Sequence, residues 1–95
     1  MIGVVAVLKV VEGKNAEFET TFAELAAQVR ANEKGVLAYV CTKSRTDPQT
    51  YKILELYADQ SALTLHGETE YFKAVGPKLG PCLAGLPEIE LLDGV

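Results

Sequence analysis

The only histidine of this 95-residue chain, His66, sits in a segment that concentrates groups able to move protons. From Glu55 to Phe72 the segment carries an acid and a phenol at alternate positions (Glu55, Tyr57), then His66, then Tyr71 and Phe72. An imidazole titrates near neutral pH, and a carboxylate or phenol beside it can orient it as a general base. His66 follows Ala62 and Leu63 by four and three residues, so it shares their helical face and is directed at a sheet rather than at solvent. Two readings follow from that placement. One is a core histidine with a single hydrogen bond. The other is a pocket histidine between helix and sheet, with Glu55, Tyr57 or Tyr71 orienting it or a ligand. Phe18, Phe22 and Phe72 are candidate pocket walls, although plain core packing is the commoner role for each.

The elements that must position these groups fit one domain, because the length leaves no room for a second core. Apolar residues make up 48% of the chain and charged residues 23%, an ordinary globular balance. A net charge of −4, two arginines (Arg30, Arg45) and scattered lysines exclude a phosphate-binding face, so no nucleic-acid partner is expected. The apolar start, Met1 to Leu8, meets Lys9 and Glu12 at once and reads as a strand, not a signal peptide. No run approaches the roughly 20 apolar residues of a membrane span. Cys41 and Cys82 share no metal or redox spacing, and one histidine among scattered carboxylates makes no metal site. The expectation is a reduced, cytoplasmic protein with no metal and no membrane contact.

Along the chain, Gly3 to Val11 is a β-branched strand, and Gly13 turns the chain toward Asn15, a candidate helix N-cap. Phe18, Phe22, Leu25, Ala26 and Val29 then form one apolar stripe at helical period, and Gly35 is the expected stop. Val36 to Ser44 and Thr50 to Ala58 form a hairpin around the turn at residues 45–49. Asp59 or Ser61 caps a short helix through His66, and Thr69 caps a second piece that Gly76 and Pro77 are expected to end. Residues 78–87 read as a constrained loop with one helical turn, and Leu86 to Leu92 as the last strand. The order is β-α-β-β-α-β, an α+β ferredoxin-like unit: a four-stranded antiparallel sheet with its helices on one face.

The alternation adds a partner. Ile53, Glu55 and Tyr57 share one face of the third strand and Leu54 and Leu56 the other, while Val4, Ala6 and Leu8 oppose Val5 and Val7 in the first. The helices can cover only one of two apolar faces, and soluble monomers avoid a large exposed apolar patch. The sequence therefore implies a homodimer with two sheets packed face to face, a dimeric α/β barrel.

This order, with Glu55-x-Tyr57 closing the third strand and Ala62-Leu63-x-x-His66-x-x-x-x-Tyr71-Phe72 following it, resembles the antibiotic biosynthesis monooxygenase (ABM) domain over essentially the whole chain. Members of that family typically carry Trp where this chain has Tyr57 and a second His where it has Tyr71. Haem-degrading relatives carry an Asn on the first strand and an iron-ligating His late in the second helix. Here Ala6 takes the first place and no His follows Phe72, so the resemblance leads away from haem. It implies a cofactor-free oxidation of a small aromatic substrate (a quinol, phenol or anthrone-like polycycle) by O₂. His66 would be the base or the hydrogen-bond partner of the substrate hydroxyl, Tyr57 and Tyr71 would stack on or bond the ring, Glu55 would orient a partner, and Phe18, Phe22 and Phe72 would line the pocket. Two other readings stay open: a non-catalytic dimeric small-molecule-binding or stress-response module with a filled pocket, and a small-metabolite isomerase.

Overall fold

The computed structural model describes all 95 residues. Its elements run β1 (Ile2–Lys9), α1 (Asn15–Asn32), β2 (Val36–Lys43), β3 (Thr50–Tyr57), α2 (Gln60–Glu68), α3 (Glu70–Leu79), a 3₁₀ turn (Gly80–Cys82) and β4 (Glu88–Asp93). The strands form one antiparallel sheet in the order β2-β3-β1-β4. This is the α+β ferredoxin-like fold expected from the sequence, with the second helix divided into two. No helix is long and apolar enough to cross a membrane.

The core forms where the α1 stripe meets the inner face of the sheet. Phe18, Phe22, Leu25, Ala26 and Val29 are all buried, against Ala6 and Leu8 of β1, Tyr39 of β2 and Tyr51 and Ile53 of β3. Burying each of the larger side chains contributes about 1.5–3 kcal/mol. The outer face carries an uncovered apolar patch, bordered by Lys52 of β3 and by Glu88 and Glu90 of β4. Leu54 pairs with Val5 on one side and Val40 on the other. Leu54 and Val40 remain 43% and 49% exposed, and Leu92 of β4 shows on the same face.

Local differences from the sequence reading have physical causes. Asn15 is the first helical residue, not the cap. Lys14 precedes it without a side-chain cap bond, and the Asn15 amide instead donates to the Pro48 carbonyl and the Tyr51 hydroxyl. Asp59 caps α2 by accepting from the Ala62 N–H at 2.9 Å, and Thr69 caps α3. α3 continues through Gly76 and Pro77 to Leu79. A proline clashes with the Cβ of the residue before it when that residue is helical, and Gly76 has no Cβ. Gly35 has no left-handed backbone; the role the structure gives it is close approach. A Cβ there would stand 2.6 Å from the Ala62 Cβ, so glycine lets the start of α2 lie against the α1–β2 connection.

Candidate functional site

That close approach brings two distant side chains together. His66, on the last turn of α2, is 4% exposed, and Glu33, the C-cap residue of α1, is 6% exposed. The His66 Nδ1 lies 3.0 Å from Glu33 Oε1 and 3.2 Å from Oε2. The Tyr71 hydroxyl, from α3, donates a hydrogen bond to Glu33 Oε2. A buried carboxylate is costly unless its oxygens are bonded, and here an imidazole and a phenol share that task. A carboxylate can only accept, so Nδ1 carries the proton facing Glu33, and Nε2 of the neutral ring holds a lone pair.

Nε2 has no hydrogen-bond partner in the chain, yet no fully occluded side-chain nitrogen or oxygen lacks one. The atom must therefore touch open space. That space is a cavity of about 420 Å³ between the sheet and α2/α3, within the range of small-ligand sites. Val4, Ala6 and Leu8 of β1 form its floor, and Phe22, Leu63, Phe72 and Val75 its helical side. Ile89 and Leu91 of β4 form a further wall and stay 59% and 61% exposed, so the mouth lies along the β4 edge. Three aromatic rings hold the imidazole in place: Phe72 at 4.7 Å, Tyr39 at 5.1 Å and Tyr57 at 5.6 Å between centroids.

Glu55 and Tyr57, neighbours on the cavity face of β3, form the second polar cluster. The Tyr57 hydroxyl donates to Glu55 Oε1 at 2.6 Å. Burial raises the Glu55 pKa above the ordinary carboxylate value, against the opposing effects of the Tyr57 hydrogen bond and of His66. Burial, and then Glu55 itself, push the Tyr57 pKa upward. The Tyr71 phenol is pushed up to about 12, first by burial and then by Glu33.

A family model for antibiotic biosynthesis monooxygenases matches residues 1–77, four-fifths of the chain and every polar group just described. The chain belongs to the antibiotic biosynthesis monooxygenase family. Among solved structures it is similar to a Caulobacter crescentus protein described as a "putative antibiotic biosynthesis monooxygenase", with 57% identity and a TM-score of 0.97 over 99% of this chain and 89% of that one. A conserved protein from Methanosarcina mazei Go1 superposes with a TM-score of 0.90 at 28% identity, over 96% and 89% of the two chains. A Nitrosomonas europaea protein of the same description shares the fold, with a TM-score of 0.92 at 19% identity over 100% of this chain and 99% of that one. A search of curated proteins gives no match.

Against this ABM framework the expected site residues separate. His66, Glu55, Tyr57, Phe22 and Phe72 all border the cavity. Phe18 does not. It is fully buried with its ring 4.7 Å from that of Tyr51, so it is core and its expected place on the pocket wall is corrected. Tyr71 stands behind Glu33, away from the cavity, and so touches no ligand there; its hydroxyl is spent on the carboxylate. The hydroxyl of Tyr57 is likewise engaged, by Glu55, which leaves its ring as the cavity surface. The orienting partner of His66 is Glu33, which the sequence reading missed. One signal was present: Glu33 falls four residues after Val29, on the next step of the buried α1 stripe. The cysteines are free, and no group of three or more His, Cys, Asp or Glu gathers in the structure.

Proposed function

We propose that this ABM-family chain is a cofactor-independent monooxygenase that oxidises a small hydroxyaromatic substrate of the quinol, phenol or anthrone type with O₂. The observation that supports it is the placement of His66: Nδ1 is held by a buried carboxylate while Nε2 opens onto an apolar cavity. Nε2 takes the hydroxyl proton, and Glu33 balances the imidazolium that forms. The resulting anion is electron-rich enough to pass one electron to O₂. The two radicals combine at a ring carbon, and the peroxide O–O bond then breaks. One oxygen atom stays on the substrate as a carbonyl in place of two hydrogens. The other leaves with those hydrogens as water, so four electrons pass from substrate to O₂. The apolar walls exclude water from the anion and hold the ring against His66.

A non-catalytic module with a filled pocket fits less well, because Leu, Phe and Tyr side chains leave about 420 Å³ open. An isomerase would use the same base without O₂, so turnover under nitrogen separates the two enzymatic readings. The test is O₂ consumption with a panel of 1,4-naphthalenediol, hydroquinone and anthrone, above autoxidation, in the wild type and in His66→Ala.

The protein is also proposed to act as a homodimer. The uncovered face around Val5, Val40, Leu54 and Leu56 is a continuous apolar surface that a second copy, sheet against sheet, would bury.

A further inference from the structure

Two polar groups on the cavity wall have bonding capacity that the fold leaves unused. Tyr39 of β2 and Glu55 of β3 are directly paired across their strands, so their side chains leave the sheet side by side on the cavity face. Tyr39 is 6% exposed, with its ring 5.4 Å from Phe22 and 5.1 Å from His66 between centroids. Its hydroxyl makes no hydrogen bond, although every fully occluded side-chain oxygen in the chain has a partner. The hydroxyl must therefore reach open space. The Tyr39 ring borders the His66 cavity, and its pKa is raised first by burial and then by the carboxylates of Glu55 and Glu33. Glu55 presents the complementary atom: Oε1 accepts from Tyr57, and Oε2 has no partner.

A donor beside a free acceptor matches a hydroxyl, which can accept from Tyr39 and donate to Glu55 in one contact. A carboxylate or phosphate offers no proton to Glu55 and brings a second negative charge to it. No lysine or arginine borders the cavity to offset that charge. We propose that Tyr39 and Glu55 form a paired anchor for a substrate hydroxyl, and that the pair makes the site selective for uncharged phenols against aromatic acids. The inference rests on the cavity being the substrate site of the proposed oxygenase, but it concerns binding and needs no turnover.

The test is equilibrium binding of three probes of one size: 2-naphthol, 2-methylnaphthalene and 2-naphthoic acid, at neutral pH by calorimetry. The wild type is expected to hold 2-naphthol about 10-fold more tightly than 2-methylnaphthalene, the worth of one or two net hydrogen bonds. It is expected to hold 2-naphthoate at least about 10-fold more weakly than 2-naphthol. Tyr39→Phe should reduce the naphthol advantage to about 2-fold, and Glu55→Gln should recover naphthoate binding several-fold. Equal wild-type affinity for naphthol and naphthoate overturns the inference, and so does a naphthol advantage that Tyr39→Phe leaves intact. The wild-type comparison stands even where a variant folds poorly. Absent O₂ uptake with this preference intact would count against the oxygenase alone; O₂ uptake without the preference would count against the anchor alone.

Discussion

His66 Nδ1 and Glu33 Oε1 lie 3.0 Å apart in the interior, although 33 residues separate them in the chain. The pairing joins the last turn of α2 to the C-cap of α1, and it decides which imidazole nitrogen faces the cavity. Glu33→Gln leaves one good acceptor for two donors, His66 Nδ1–H and Tyr71 O–H. It should lower stability by about 1–3 kcal/mol, the cost of one buried unsatisfied group. With the ring no longer held in one tautomer, turnover should drop by about 10–100-fold, part of the roughly 10²–10⁴-fold a positioned base supplies, with KM little changed. ¹⁵N NMR of the imidazole is the readout that a merely structural role would not move. The wild type should show Nδ1 protonated in the neutral ring, and the variant a mixture.

Gly35→Ala should destabilise the chain although alanine suits most backbones. Its Cβ would stand 2.6 Å from that of Ala62, and the expected overpacking cost of about 1–3 kcal/mol exceeds the gain of about 0.4–1 kcal/mol from a stiffer unfolded chain. Because α2 must move to relieve the contact, the His66–Glu33 pair should loosen with it. Thermal melting and the same NMR signal check both effects. An unchanged melting temperature would mean that α2 shifts freely.

Much of this architecture was legible in the chain. The opposition of Val4, Ala6 and Leu8 to Val5 and Val7, and the α1 stripe from Phe18 to Val29, define the sheet faces and the core because the periods of strand and helix are local properties. His66 was placed toward the sheet by its spacing from Ala62 and Leu63. Glu33 was not recognised because an acid near the end of a helix is usually solvated; only the approach of α2, permitted by Gly35, buries it. The free hydroxyl of Tyr39 was equally hidden. Whether a phenol finds a partner depends on what packs around it, and that is a property of three elements together. Phe18 shows the converse, since period alone cannot separate a core residue from a pocket wall one turn away.

The carboxyl of Glu55 supplies a pH prediction. Its pKa is raised in the folded state, so its favourable contribution is present below the unfolded value of about 4.3 and is lost as pH rises through the folded value. Glu55→Gln keeps an acceptor for the Tyr57 hydroxyl and removes the buried charge. It should therefore raise the melting temperature at pH 7, with the advantage fading below about pH 4. A variant less stable than wild type at pH 7 would contradict this.

All four tyrosines are held above the ordinary phenol value, chiefly by burial, with Tyr71 at about 12. Unfolded phenols ionise near pH 10, so the folded chain retains more protons there, and stability should be intact below that pH and fall as pH rises above it. Absorbance at 295 nm should then increase together with loss of the helical circular dichroism signal. Four phenols titrating near pH 10 in a chain that stays folded would contradict the burial argument.

The outer sheet face predicts an assembly. Light scattering should give twice the protomer mass of 10.2 kDa, and Leu54→Lys, at the centre of the apolar face, should give the protomer mass with secondary structure retained. A wild type that runs as a monomer at micromolar concentration would remove the proposed dimer.

The most direct measurement is O₂ consumption with 1,4-naphthalenediol by the wild type and by His66→Ala at equal folded concentration. The proposed chemistry predicts uptake well above autoxidation, one water released per oxygen atom inserted, and a fall of at least about 10²-fold in the variant. Equal uptake by the two proteins, or wild-type uptake no faster than autoxidation across the substrate panel, would contradict a base-driven oxygenation at His66.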